Sequence, residues 1–292
     1  MALFKSNSLF QWSSEKRLTV FLTGCAAICG TIVLLILLFL TRESLPAIQS
    51  IGIHRFLTDN AWYPSEGEFS LVSMLLGTII ATFGAVGIAT PVGIFSAIFC
   101  QYYAPSFLAR FYRNLIQVLA GIPSVVFGFW GLVVFAPLVA KIHPPGTSLL
   151  TGIFILSIMI LPTIALTIDS SLSQVPTVWI HGAHALGMSQ WSIIQKIGLP
   201  TARSGIFTSI ILATGRAIGE TMAILMVAGN VVQIPKSLFD PVRTLTANIA
   251  LEMAYAMGNH RAALFVSGLA LIGLILIIVV VADGFTKELA HE

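Results

Sequence analysis

The sequence predicts an all-α integral membrane protein of about six transmembrane helices, and three observations predict it. Hydrophobic residues make up 57% of the 292 positions and charged residues only 9%, where a soluble domain carries roughly a quarter of its residues charged. Several apolar runs reach the roughly 20 residues that a helix needs to cross a bilayer. The net charge of +3 comes from thinly scattered loop residues with no basic block, so nothing points to nucleic-acid binding and that class is set aside. Length alone would allow about two soluble domains, but the apolar content requires most of the core to face lipid or other helices.

The first run, at about residues 19–41, follows Glu15, Lys16 and Arg17. It is longer than a signal-peptide core and ends in no convincing cleavage site, so it is expected to stay as an anchor. The others lie at about 72–100, 114–139, 149–168, 204–229 and 262–284. An even number puts both termini on one side. Lys5, Lys16 and Arg17 favour a cytoplasmic N-terminus in a plasma membrane. Arg110, Arg113, Lys196, Arg203 and Lys287 then fall on the cytoplasmic face, and Arg42, Arg55, Lys141, Lys236, Arg243 and Arg261 outside, a small excess. Cys25, Cys29 and Cys100 lie in apolar segments without metal-ligand spacing and read as small apolar residues.

The loops are unequal. Outside, residues 41–70 and 231–261 are long, with Pro, Asp and aromatic residues that suit ordered caps or short surface helices. Inside, Asp169 to Arg203 is too apolar and too varied for a linker. Val178, Trp179, Ala183 and Leu186 recur there at helical spacing after Pro176, and Gly187 suits a helix stop. That helix either lies in the membrane interface or docks a cytoplasmic partner.

Gly187, then nine residues, then Ile197, one residue, Leu199 and Pro200 resembles the second half of the cytoplasmic signature of ABC importer permeases: Glu-Ala-Ala, three residues, Gly, nine residues, Ile-x-Leu-Pro. In the first half His181 stands for the usual Glu and Gly182 for the first Ala, while Ala183 keeps the pattern. A histidine still hydrogen-bonds, with a charge that depends on pH near 6 to 7. The resemblance implies that Trp179, His181, Gly182, Ala183, Ala185, Leu186, Gly187, Ile197, Leu199 and Pro200 belong to a coupling loop seated in a cleft of an ATPase subunit.

Further segments narrow the family. "AGIPSVVFGFWGL" (Ala120 to Leu132), "IMILPTIALTIDSSLSQVP" (Ile158 to Pro176), "GRAIGETMAILMVAGN" (Gly215 to Asn230), the "WYP" at Trp62 to Pro64 and "SLLTGIFILSIMILP" together resemble the PstC-type permeases of phosphate-specific ABC importers, over roughly residues 40 to 284. The resemblance implies a type I importer fold, with an N-terminal tail, anchor and outer loop at 1–71, a permease core at 72–284 and a short cytoplasmic tail at 285–292. It also implies a homologous PstA-type permease, a PstB-type ATPase dimer and a periplasmic or extracellular phosphate-binding protein as partners, with inorganic phosphate as cargo. No cofactor is expected in this chain; ATP and Mg belong to the ATPase.

Arg216 and Glu220 are the charges inside an apolar run. On a continuous helix they share one face at i and i+4 and can neutralise each other. They are either a structural ion pair or the wall of a substrate pathway, where intramembrane charges usually face a cavity. A guanidinium suits phosphate, since its fixed fork matches the oxyanion and it stays charged. The carboxylate would then balance it when the pathway is empty and weaken retention when it is full. Thr221 adds a hydroxyl beside Glu220. Gly215 and Gly219 suit close helix approach more than ligand contact. "GIPSVVFG", with Gly121, Pro123, Ser124 and Gly128, suggests a broken span, for packing or to frame a pathway. Asp169 reads as a helix-end charge outside the site.

Enzyme readings find no support: GxxxxGK[ST], HExxH and GxSxG are all absent, and of the six histidines only His181 and His184 stand close together. Besides the importer reading stand an autonomous ion-coupled transporter or channel and an ABC permease for a different oxyanion. The docking loop favours the importer.

Overall fold

The structure, a computed structural model, describes residues 7–59 and 61–291; Lys5 lies outside the described residues, as does the side chain of Lys287. The apolar runs are largely helical, but among the described residues four are uninterrupted helices long enough to span, Glu15–Ser50, Val72–Tyr103, Leu149–Ser173 and Gly258–Ala282, or five if a bent pair counts as one span, against the six expected. The four belong to α1 (Asn7–Ser50), α3 (Val72–Ile98, continued by a π-helical turn through Phe99–Tyr103), α7 (Leu149–Ser173) and α14 (Gly258–His291). Before α3 lie α2 (Arg55–Thr58) and a hairpin of β1 (Trp62–Tyr63) and β2 (Glu68–Phe69).

The third run is a bent pair. α4 (Ser106–Ala120) meets the stretch Ser124–Ala140 at 90°, and that stretch comprises α5 (Ser124–Trp130), a π-helical turn and α6 (Ala136–Ala140). Pro123 causes the break: it disfavours helix at the residue before it and starts the next helix with an extended ψ of 141°. Gly128 and Gly131 then let α5 lie against the 222–227 segment; a Cβ on Gly128 would stand 2.9 Å from Ala223 Cα.

α7 is the core. Ile155, Leu156, Met159, Ile160, Ile164, Ile168 and Leu172 are all 1% exposed or less. It packs on α3 because Gly77, Ala81, Ala85, Ala89, Gly93 and Ala97 recur every fourth residue there, forming a smooth buried stripe. A Cβ on Gly93 would come 2.6 Å from Ile164 Cγ2. With no hydrophobic drive between helices in lipid, that close fit is what holds the pair. α1 packs mainly on α14, with Phe39 and Phe265 edge to face at 5.7 Å, its Ala47 joins the second core described below, and most of its length is exposed. Both long connections expected as ordered caps carry short elements, α2 and the hairpin in the first and a helix at Leu245–Glu252 in the second. The hairpin pairs Trp62 with Phe69 and packs with Phe56, Leu71, Met74 and Leu245 in a second core at one end of the bundle.

Candidate functional site

At the opposite end, Pro176 opens α8 (Thr177–Ala185) and Gly187 closes the turn with φ +74°, a conformation that L side chains resist. Ser189 caps α9 (Gln190–Ile193) by accepting from Ser192 N–H, and α10 (Leu199–Thr201) follows a π-helical turn. Ile193 and Ile194 anchor this loop fully buried. The expected apolar face divides. Ala183 is buried in the chain, whereas Val178 (76% exposed), Trp179 and Leu186 (83%) face outward. His181, Gly182, Ala185, Gly187 and Pro200 are also exposed, and Ile197 and Leu199 half-buried. A Cβ on Gly182 would meet nothing within 4 Å, so the alanine of the family pattern would fit there too.

The run with Arg216 and Glu220 is not one helix, which corrects the expectation of a shared face. α11 (Arg203–Ile218) ends at Gly219, and α12 (Met222–Val227) begins after Thr221. Gly219 is costly to hold in a helix interior, and the Glu220 carboxylate offers the backbone an alternative: Oε1 accepts from Ala223 N–H at 3.1 Å, in the first turn of α12. Thr246 Oγ1, on α13 (Leu245–Glu252), donates to Glu220 O at 2.8 Å and fixes the break from outside. Thr221 turns its hydroxyl onto Gly219 O at 3.3 Å.

Arg216 therefore stands in the last turn of α11, exposed on this chain, and its Nη1 donates to Thr163 Oγ1 on α7 at 3.0 Å. Among the described residues no ion pair joins it to Glu220. Gly215 meets no neighbour within 4 Å and Gly219 only its own turn, so neither supports helix pairing inside this chain.

The other embedded arginines differ. Arg113 on α4 holds Asp169 on α7 through two bonds, Nε to Oδ2 at 2.7 Å and Nη2 to Oδ1 at 2.9 Å. Asp169 is thus more than a helix-end charge. Arg243 donates to Glu252 Oε1 at 2.6 Å, to Asn248 Oδ1 at 3.0 Å and to Asn230 O at 2.9 Å. Glu252 Oε2 also accepts from Trp62 Nε1 at 2.8 Å and meets His260 Nε2 at 2.8 Å. Sequence reading missed this cluster because Trp62 and Glu252 are 190 positions apart. It missed Thr163 as well, an ordinary hydroxyl in an apolar helix.

A family model described as "binding-protein-dependent transport system inner membrane component" matches residues 89–291. Among curated relatives, the phosphate transport system permease protein PstC of Mesorhizobium japonicum is 36% identical over 254 residues, covering 80% of this chain and 76% of that protein. The probable ABC transporter permease protein YqgH of Bacillus subtilis is 36% identical over 82% of this chain and 80% of its own length. PstC of Haemophilus influenzae is 35% identical over 81% of each. Among solved structures, the inward-facing MetNI methionine ABC transporter matches with a TM-score of 0.62 at 20% identity, over 75% of this chain and 95% of that one. A bacterial alginate ABC transporter in complex with its periplasmic protein matches at 0.65 and 15% identity, over 95% and 97%. At these identities the structural matches speak for the fold alone.

Proposed function

The chain belongs to the family of binding-protein-dependent transport system inner membrane components, and from that premise we propose that it is the permease subunit through which an ATP-driven importer moves inorganic phosphate inward. The substrate class rests on the PstC relatives, at 35–36% identity across about four-fifths of the chain. The supporting observation from geometry is Arg216, a cation exposed on this chain within an apolar run, which donates to the neutral hydroxyl of Thr163. A guanidinium that holds one neutral hydroxyl can exchange that partner for the oxygens of an anion, with which it makes stronger, charge-assisted bonds.

In this reading phosphate enters from the end capped by the hairpin and α13. The Arg216 fork takes its oxygens in place of Thr163. Glu220, held at the helix break by its bond to Ala223, keeps a negative charge near the site and shortens the stay of the anion. Thr221 borders the same break. The chain lines one wall only, so a homologous PstA-type subunit faces it.

The exposed Val178, Trp179 and Leu186 form the face that a PstB-type ATPase dimer receives, with His181 at the position of the usual glutamate. Both termini then lie in the cytoplasm, ATP and Mg are held by the ATPase, and a phosphate-binding protein docks on the opposite end. An autonomous carrier gives no role to that protruding apolar loop. The test is reconstitution in liposomes. The four-component assembly should take up labelled phosphate with ATP, and this chain alone should take up none; uptake at the full rate by the chain alone would overturn the importer reading.

A further inference from the structure

Between α7 and α11, on the side of Arg216 toward α8, lies a cavity of about 440 Å³ lined chiefly by Thr167, Ser171, Gln174, Thr201, Ser204 and Thr208. We infer that this hydroxyl-lined cavity is an inward release site for a tetrahedral oxyanion leaving Arg216; the inference rests on the phosphate-permease reading above.

Position carries the first step. Thr163, Thr167 and Ser171 recur every fourth residue on α7 and share one face. Ser204, Thr208 and Arg216 lie on a matching face of α11, spaced at four and eight residues. The Arg216–Thr163 bond at 3.0 Å joins the two faces at the arginine end. Partway along the cavity wall the helices approach closely at Gly205, where a Cβ would meet Ser171 Oγ. A larger residue at Gly205 would push the helices apart. The cavity thus begins one helical turn from Thr163, at Thr167, and continues past Ser171 to Gln174 and Thr201, toward the end of the bundle that carries α8.

Chemistry carries the second. Thr167 donates to Thr163 O at 2.7 Å, Ser171 to Thr167 O at 2.9 Å and Thr208 to Ser204 O at 2.9 Å. These bonds leave the empty groove satisfied inside the membrane. Each hydroxyl can still rotate to donate to a passing oxyanion, and Gln174 adds an amide. Among the described residues no carboxylate lines the cavity, and Arg216, bonded to Thr163 one turn before Thr167, disfavours cations on the approach, so the ligand is an anion. Among the described residues no fixed cation lines it either, so the anion is held by neutral donors and leaves readily, as a conducting pathway requires. The volume suits an ion that keeps part of its water shell rather than a single water molecule.

The test uses the assembled transporter in liposomes. Thr167→Val, Ser171→Ala and Thr208→Val together remove three donors at nearly constant volume. Uptake of labelled phosphate should fall about tenfold, with ATPase copurification and melting temperature unchanged. In an assembly freed of native cysteines, Thr208→Cys should react with a negatively charged thiosulfonate, and inorganic phosphate should slow that labelling. Wild-type uptake by the triple variant would overturn the release site, as would a Thr208→Cys that resists the anionic reagent. If the triple variant fails to assemble, the cysteine labelling decides alone. A separate control with Arg216→Met and Glu220→Leu tests the permease reading itself: loss there with wild-type uptake in the triple variant refutes the cavity and leaves the pathway standing.

Discussion

Arg243 and Arg216 are both arginines folded into an apolar protein, and their surroundings are opposite. Arg243, 19% exposed, is bound by a carboxylate, a side-chain amide and a backbone carbonyl, and its partner Glu252 is further held by Trp62 and His260. Arg113 is likewise clamped by Asp169. Arg216 has a carboxylate four positions away and holds a threonine hydroxyl instead. The chain thus satisfies an arginine fully where it serves as scaffold, and the break at Gly219–Thr221 denies Arg216 that satisfaction. What differs is whether the guanidinium is already occupied.

The strongest way to sharpen the contrast is to break the scaffold. Glu252→Leu leaves Arg243 without its countercharge and Trp62 Nε1 without its acceptor, and removing one partner of a buried pair costs about 3–5 kcal/mol. The purified protein in detergent should melt at a clearly lower temperature, and an unchanged melting temperature would place Arg243 in the same class as Arg216.

Next in size is the protruding loop. Leu186 is 83% exposed, so Leu186→Glu should leave the chain folded. In an ATPase groove the same charge costs several kcal/mol, and ATPase copurification should be lost while membrane insertion persists. Retained association would remove this loop from the interface.

Arg216→Lys keeps the charge and loses the bidentate fork. Uptake should drop by about tenfold, the worth of one lost charge-assisted bond. Near-full activity would mean that charge alone suffices.

The smallest effect belongs to the cap. Burial pushes the Asp59 carboxyl up, but the Phe69 N–H at 3.0 Å and Arg55 at 3.1 Å outweigh it, holding Asp59 below its ordinary value. Its stabilisation is present above the unfolded value and is lost as pH falls through the lower folded one. Trp62 fluorescence should report a modest loosening only below about pH 4, and Asp59→Asn should abolish that dependence.

Much of the fold was legible in the sequence because hydropathy marks which runs are apolar, and Pro176 and Gly187 mark where α8 begins and turns. The break after Ile218 was not. Apolarity says nothing of backbone continuity, so Arg216 and Glu220 read as helical neighbours, although Gly219 next to two residues able to bond the backbone was an available signal. The clamps on Arg113 and Arg243 join segments far apart in sequence, 56 positions in the case of Asp169, and no local pattern announces them. Ala183 shares the spacing of Trp179 and Leu186 yet is buried, because periodicity defines a stripe without saying which part of it this chain covers.

Whether Arg216 is a pathway residue or a scaffold residue is tested most directly by labelled-phosphate uptake in the assembled transporter carrying Arg216→Met with Glu220→Leu, compared at equal membrane level. Among the described residues the two side chains form no pair, and each makes one hydrogen bond, to Thr163 and to Ala223, so if they serve only structure their replacement by apolar residues leaves uptake intact. The expected result is background uptake with wild-type melting temperature and subunit copurification. Wild-type uptake by the double variant would contradict the pathway assignment.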